Sequence, residues 1–168
     1  MEGDWAHPLG CKRIVVAELR GYMRVFNKKS SKNWGSTKHP CPTLNLEPRE
    51  GTSCLGVAFE FPDENEESVR AKLREREGKD FPLRQRRIRL NTGHEVEACV
   101  PNYEGTKLFE EMSIEGIAKL VQAAKGRDGS CVDYINQVAG ILSKLGIKDG
   151  AVTELVEAVR TIECQKSN

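Results

Sequence analysis

The sequence lacks several features that mark specialised classes of protein. Its 168 residues contain no apolar run near the roughly 20 residues that span a bilayer. The first residues, MEGDWAHPLG, do not follow the residue order of a secretory signal peptide. Lys and Arg number 26 and Asp and Glu number 25, which leaves a net charge of +1. We therefore expect no membrane partner, no nucleic-acid partner and a cytoplasmic location.

Cysteine is present without the spacing of a metal site or a disulfide framework. No C-x-x-C pair occurs among the six cysteines, which are Cys11, Cys41, Cys54, Cys99, Cys131 and Cys164. His39 and Cys41, within KHPCP, come nearest to a metal-ligand pair, but no second pair accompanies them. We expect no metal site and mostly reduced cysteines, several of them small core residues.

The order of residue types along the chain predicts one α+β domain over residues 1–168. Residues 12–105 carry short runs of Val, Ile, Phe and Tyr broken by Gly, Pro, Ser and Asn, which is typical of strands and turns. Within them, the polar segment 27–52 predicts a long connection, and NTGH at 91–94 predicts a hairpin turn. Apolar residues at helical spacing predict a helical tail over 113–163.

One helix is predicted within the strand-rich part, over residues 64–77. The segment starts with acidic residues, ends with basic residues and is followed by Gly78, where a C-cap would fall. The last residues of this helix are the beginning of the stretch LREREGKDFP (73–82). A run of charges of this kind is usually a solvated face. Two glutamates, Glu75 and Glu77, belong to this run.

The helical period distinguishes these two glutamates. Each residue turns by about 100°, so Glu77 continues the stripe of Val69 and Leu73, the apolar residues of this segment. Glu75 points roughly the opposite way and is interpreted as solvated. Partial burial and the negative end of the helix dipole both favour proton uptake by Glu77, which makes it a candidate general base. The alternative is that the helix frays before Glu77, whose side chain then simply reaches water.

Four motifs follow one another along the chain. They are LRGYMRVF (19–26), NWGSTKH (33–39), GTSCLGVAFEFP (51–62) and LREREGKDF (73–81). Their order and spacing resemble the ChaC-like branch of the gamma-glutamylcyclotransferases, in which a helix ends L-x-x-R-E-x-x-x-[YF]. NYEG (102–105) and the helical segment 113–147 resemble the tail of that family, so the likeness covers roughly residues 9 to 160.

The resemblance implies a small mixed β-barrel, open at one end, with helices packed at its side. It also implies a reaction that needs no cofactor: the α-amine of a γ-glutamyl group attacks its own γ-carbonyl, closes 5-oxoproline and expels an amine. The acid of the family falls on Glu77 as general base. Ser36 and Thr37 would donate hydrogen bonds, and Phe81 and Tyr103 would wall the pocket. The implied partner is a small γ-glutamyl compound, glutathione or a γ-glutamyl dipeptide.

The chain departs from the family pattern in one respect. The family opens with a strand and a Tyr-Gly-Ser turn that holds the γ-glutamyl end of the substrate, and Tyr-Gly-Ser occurs nowhere in this sequence. We interpret the chain either as shortened or as a relative that has lost this turn. A shortened barrel would expose an unpaired edge and self-associate. An impaired member that serves as a binding or interaction module is therefore the alternative function.

A third function is suggested by RQRRIR (84–89), a basic run of the kind that contacts nucleic acid. The near-neutral net charge and the lack of interleaved aromatic residues argue against it. An exposed face of a β-strand explains the run better.

Overall fold

The computed structural model describes residues 5–166, so the ends of the predicted domain, 1–4 and 167–168, lie outside the described residues. The strands are β1 (Arg13–Ser30), β2 (Cys41–Glu60), β3 (Leu83–Leu90) and β4 (Glu95–Pro101). The α-helices are α1 (Glu66–Glu77), α2 (Ile114–Ala123), α3 (Cys131–Lys144) and α4 (Gly150–Lys166). This succession of strands, one inserted helix and a helical tail confirms the predicted α+β class.

The four strands form one sheet in the order β2-β1-β3-β4. Strand β3 pairs antiparallel with β1, where Ala17 faces Leu90, and with β4, where Ile88 faces Val96. The β3–β4 pair is the hairpin predicted around NTGH. Over the described residues, β2 and β4 stand at opposite ends of the strand order, so the sheet is open where a closed barrel was expected.

The long polar connection predicted over residues 27–52 is wrong. Strand β1 continues to Ser30 and β2 begins at Cys41, so only residues 31–40 lie outside the strands. The prediction rested on the polar residues, prolines and glycines of this segment, but Pro42 and Pro48 both lie within β2, because an edge strand tolerates proline.

The described residues group into two compact units: unit 1 holds residues 5–23 and 46–105, and unit 2 holds residues 24–45 and 106–166. In unit 1 the core is built on one face of the sheet, where Tyr22, Leu46, Ala58, Leu90, Ala98 and Val100 pack against Ala17, Leu19 and Ile88. In unit 2, helices α2 and α3 both pack against α4. Their largest fully buried side chains are Val121, Ile135 and Leu155. Val121 and Ile135 belong to the apolar spacing that predicted the helical tail.

A disulfide joins Cys41, at the start of β2, to Cys131, at the start of α3. The expectation of reduced cysteines is therefore wrong for this pair, although Cys11, Cys54, Cys99 and Cys164 lie outside the disulfide. The two residues are 90 positions apart, and only the fold brings their Cα atoms to 5.6 Å. The bond also removes Cys41 as a metal ligand beside His39.

Removal of the disulfide is expected to destabilise the protein. A cross-link that closes a loop of this length contributes about 4 kcal/mol, mainly by restricting the unfolded chain. The variant Cys41→Ala/Cys131→Ala should therefore unfold at lower denaturant than the oxidised protein, and added reductant should not change its midpoint. Cys54→Ala, at a buried thiol outside the disulfide, is the control that stays sensitive to reductant. Titration of six thiols rather than four in the denatured, unreduced protein would contradict this pairing.

Candidate functional site

The end of α1 fixes the position of Glu77. The helix continues through Glu77, and the Gly78 N–H donates to the Arg74 carbonyl oxygen at 2.9 Å. Gly78 then adopts φ 82° and ψ 179°, a backbone region that is essentially reserved for glycine. Glu77 is therefore the last residue of the helix, and the alternative in which the helix frays before it is wrong.

The two glutamates differ in exposure as the helical period predicts. Val69 is buried and Leu73 is half-buried, and Glu77 continues their stripe with 27% of its side chain exposed. Glu75 has 72% of its side chain exposed and pairs with Lys72 at 2.9 Å on the surface. Of these two glutamates, only Glu77 is therefore partly withdrawn from water.

Arg76 provides a positive charge next to Glu77. Its Nε lies 3.3 Å from Oε1 of Glu77, and its guanidinium stands over the Trp5 ring at 5.5 Å from the ring centre. The Arg76 side chain is 42% exposed, so this ion pair lies at the edge of the solvent. Trp5 in turn packs against Phe59 and Phe61, so the arginine rests on a fixed aromatic surface.

Two backbone hydrogen bonds extend the β3–β4 ladder toward the end of α1. The Asn102 N–H donates to the Pro82 carbonyl at 3.3 Å, and the Glu104 N–H donates to the Asp80 carbonyl at 2.8 Å. The chain that leaves Gly78 is thereby held against the chain that leaves β4. Because these contacts follow the strands without a break, residues 102–104 have a fixed position beside residues 80–82.

Phe81 and Tyr103 meet within this extension. Their ring centres lie 5.1 Å apart at an interplanar angle of 54°, and Tyr103 is 7% exposed. Gly105 permits the close approach of the chain to the Tyr103 ring, since a Cβ at this position would lie 2.6 Å from the tyrosine Cζ. The structure therefore places two predicted pocket residues together, in the same unit as Glu77.

Arg84 secures the segment that carries Tyr103. Its Nε and Nη2 donate to the two carboxylate oxygens of Glu104 at 2.8 and 2.6 Å. These hydrogen bonds from Arg84 hold the pKa of the Glu104 carboxyl below its usual range, so this clamp persists in mildly acidic solution. Arg86 donates to the Tyr22 hydroxyl, and Arg87 lies 3.5 Å from Glu97. Much of the basic run on β3 is thus engaged within unit 1.

The other two predicted residues, Ser36 and Thr37, belong to the 31–40 loop of unit 2. The Ser36 hydroxyl oxygen accepts from the His39 N–H at 3.1 Å, and the Ser36 N–H donates to the His39 carbonyl at 2.9 Å. Ser36 therefore closes a tight turn, and Thr37 is exposed within it. Gly35 is buried behind the turn, where a Cβ would collide with backbone atoms of Ser30 and His39.

The turn at residues 125–130 supports this loop, a relation that the sequence analysis missed. The N–H groups of Arg127 and Asp128 donate to the Lys32 and Asn33 carbonyls at 2.9 and 2.7 Å. The rings of Trp34 and Tyr134 also pack together, with centres 5.5 Å apart. Two closely spaced glycines in KGRDGS were the available signal, since glycine marks close approach of two backbones.

The predicted site residues thus fall into two groups. Glu77, Phe81 and Tyr103 lie in unit 1, whereas Ser36 and Thr37 lie in unit 2. Across residues 5–166, no cluster of three or more His, Cys, Asp or Glu side chains could hold a metal ion. None of the helices in that span is long and apolar enough to cross a membrane.

Comparison with known proteins identifies the family. The family model described as ChaC-like protein matches residues 5–162. The chain belongs to the ChaC-like family. Among its relatives, gamma-glutamylcyclotransferase 2-3 of Arabidopsis thaliana is 30% identical over 157 residues, which are 86% of this chain and 77% of the relative.

Two further proteins are similar to this chain. The glutathione-specific gamma-glutamylcyclotransferase of Escherichia coli K12 is 27% identical over 168 residues, 94% of this chain and 69% of the relative. A crystal structure of the yeast gamma-glutamyl cyclotransferase specific to glutathione superposes with a TM-score of 0.81 at 17% identity. It covers 94% of this chain and 91% of the yeast chain, which shows a shared fold.

Gly105→Ala is expected to displace the Tyr103 ring. The added Cβ overlaps a buried aromatic ring, and overpacking of this kind costs about 1–3 kcal/mol of unfolding free energy. Denaturant unfolding and near-ultraviolet circular dichroism measure the two effects. Gly56→Ala is the matched control, because a Cβ at Gly56 meets nothing within 4 Å. Equal stability and equal aromatic signals in the two variants would contradict this placement of Tyr103.

Proposed function

We propose that this ChaC-like protein is a gamma-glutamylcyclotransferase that acts on glutathione, with Glu77 as its general base. The observation that carries the proposal is the partly buried carboxylate of Glu77 at the last position of α1, in one unit with the Phe81–Tyr103 pair. The names of the Escherichia coli and yeast relatives, both specific for glutathione, support this choice of substrate.

The reaction needs one ring closure and the transfer of two protons from the attacking nitrogen to the leaving nitrogen. Glu77 takes a proton from the α-ammonium of the γ-glutamyl group, and the freed amine attacks the γ-carbonyl carbon. The new C–N bond closes the five-membered ring, and the ring nitrogen gives up its second proton through Glu77. As the γ-amide C–N bond breaks, Glu77 delivers the two protons in turn to the leaving nitrogen, which departs as an ammonium group. The products from glutathione are 5-oxoproline and cysteinylglycine, so atoms and protons balance without a cofactor.

The local environment of Glu77 suits this role. Its side chain is 27% exposed, and Nε of Arg76 lies 3.3 Å from Oε1. A carboxylate is one of the side chains that serve as general bases in enzymes. The attack is intramolecular, so the protein has mainly to hold the amine close to the carbonyl.

The remaining residues keep the roles that the sequence suggested, as proposals. Phe81 and Tyr103 form an apolar wall, which limits water around the reacting amine. Ser36 accepts the His39 N–H, so its own hydroxyl hydrogen can be donated to substrate, and the exposed Thr37 hydroxyl can donate likewise. We also propose that residues 1–168 act as a single domain, since the family match runs through both units.

Glu77→Gln is expected to lower the turnover of glutathione by about 100- to 10,000-fold, the contribution typical of a general base. The amide has nearly the shape of the acid but cannot accept the proton. Release of 5-oxoproline measures turnover, and thermal unfolding should show that the variant stays folded. Glu75→Gln, on the exposed side of the same helix, is the matched control and should leave turnover unchanged.

Two outcomes would contradict parts of this proposal separately. Full turnover by Glu77→Gln would remove Glu77 from the mechanism while leaving the activity in place. No 5-oxoproline from any γ-glutamyl peptide, even at high protein concentration, would favour a binding or interaction module instead.

We further propose that the protein self-associates through an edge strand. Strand β2 stands at one edge of the sheet, and edge strands are templates for pairing with a second chain. We expect a dimer in light scattering after size exclusion, and Gly56→Pro in β2 should weaken it; a monomer at all concentrations would contradict the pairing.

A cytoplasmic location remains a prediction, and the Cys41–Cys131 disulfide argues against it, because such bonds are rare in the cytosol.

A further inference from the structure

Asn102 carries a buried polar atom that the fold does not satisfy. Its side-chain Oδ1 is buried and has no hydrogen-bond partner among the described residues. Nearly all buried side-chain oxygens in native proteins are hydrogen-bonded, so an exception of this kind requires an explanation. Asn102 directly precedes Tyr103, which ties the exception to the candidate site.

A loose segment does not explain this oxygen, because the backbone around Asn102 is held on both sides. Its own N–H donates to the Pro82 carbonyl, and the Glu104 N–H donates to the Asp80 carbonyl. Arg84 clamps the Glu104 carboxylate with two hydrogen bonds at 2.8 and 2.6 Å. The segment is thus rigidly built and nevertheless leaves an acceptor without a donor, which is the arrangement of a prepared ligand contact.

The same ladder places Asn102 next to the segment that follows the proposed base. Residues 80–82, against which Asn102 and Glu104 pair, begin two residues after Gly78, where α1 ends. The unsatisfied oxygen therefore belongs to the segment that is paired with the residues following Glu77, next to the Phe81–Tyr103 ring pair.

We propose that Oδ1 of Asn102 accepts a hydrogen bond from the α-ammonium group of the γ-glutamyl substrate. This inference rests on the proposed function. The substrate offers few donors at its reacting end, since its α-carboxylate and γ-carbonyl only accept, whereas the ammonium has three N–H groups. Glu77 needs one of these hydrogens for proton transfer. A neutral amide oxygen holds a second without competing for the proton, because an amide is not basic at physiological pH.

Asn102 is therefore a substrate-positioning residue. A bond from the ammonium to a fixed acceptor orients the nitrogen, so that after deprotonation its lone pair points toward the γ-carbonyl carbon. The same contact discriminates among substrates, because a site built around a hydrogen-bonded group rejects analogues that lack that group.

The test uses Asn102→Leu, which keeps approximately the side-chain volume and removes the acceptor. Wild-type release of 5-oxoproline from glutathione is measured first, so that failure of the proposed function is seen independently. The variant is expected to lose about 10- to 100-fold in kcat/KM, the size of one hydrogen bond to a charged group. Asn91→Leu, at an exposed asparagine in the β3–β4 turn, is the matched control and should change kcat/KM little.

Binding provides a readout independent of turnover. In the Glu77→Gln background, the affinities for glutathione and for glutaryl-cysteinylglycine, which lacks only the α-amine, are compared with and without Asn102→Leu. We expect glutathione to bind more tightly than the des-amino analogue when Asn102 is present, and the preference to fall about tenfold or more in the leucine variant. An unchanged preference would overturn the proposal, even if both affinities fell together.

Thermal stability separates a binding role from a structural one. Replacing an unsatisfied buried acceptor with an apolar group should leave Tm unchanged or raise it, because Oδ1 of Asn102 accepts no hydrogen bond in the folded protein. A lower Tm together with an unchanged preference for the amine would assign Asn102 to the fold alone and would also overturn the proposal.

Discussion

The backbone conformation of Gly78 is the constraint on which the candidate site depends. At φ 82° and ψ 179°, this glycine ends α1 immediately after Glu77 and directs the following residues alongside the chain that leaves β4. A residue with a side chain would be strained in this conformation. The two backbone hydrogen bonds that continue the β3–β4 ladder then place Phe81 against Tyr103. The end of α1 and the contact between Phe81 and Tyr103 are therefore both consequences of one local backbone geometry.

Unit 2 rests on a second, independent set of restraints. The disulfide ties the start of β2 to the start of α3, and the 31–40 loop is held by backbone contacts with the 125–130 turn. Arg24 of β1 and Asp149 form a largely buried ion pair, and Asp149 also accepts from the Val152 N–H at the beginning of α4. The backbone contacts with the 125–130 turn give the polar 31–40 loop a defined shape that its composition does not suggest.

Much of the architecture could be predicted because it follows from local patterns. The 3.6-residue period placed Val69, Leu73 and Glu77 on one stripe, and the structure shows that order of burial. The NTGH turn gave the hairpin, and apolar spacing gave the helical tail. The boundaries of β1 and β2 were missed, because strands with one solvated face accept polar residues and an edge strand accepts proline. The motifs also indicated the family, which the match over residues 5–162 shows.

The sequence by itself determined the class of fold, the family and the contrast between Glu75 and Glu77, since each depends on residues close together in the chain. Only the tertiary structure decided which distant residues meet. Cys41 pairs with Cys131 across 90 positions, Arg84 clamps Glu104, and the Asn102 side-chain oxygen is buried without a donor. Pairing, clamping and burial depend on the packing of separate elements in space, and no local pattern encodes that packing.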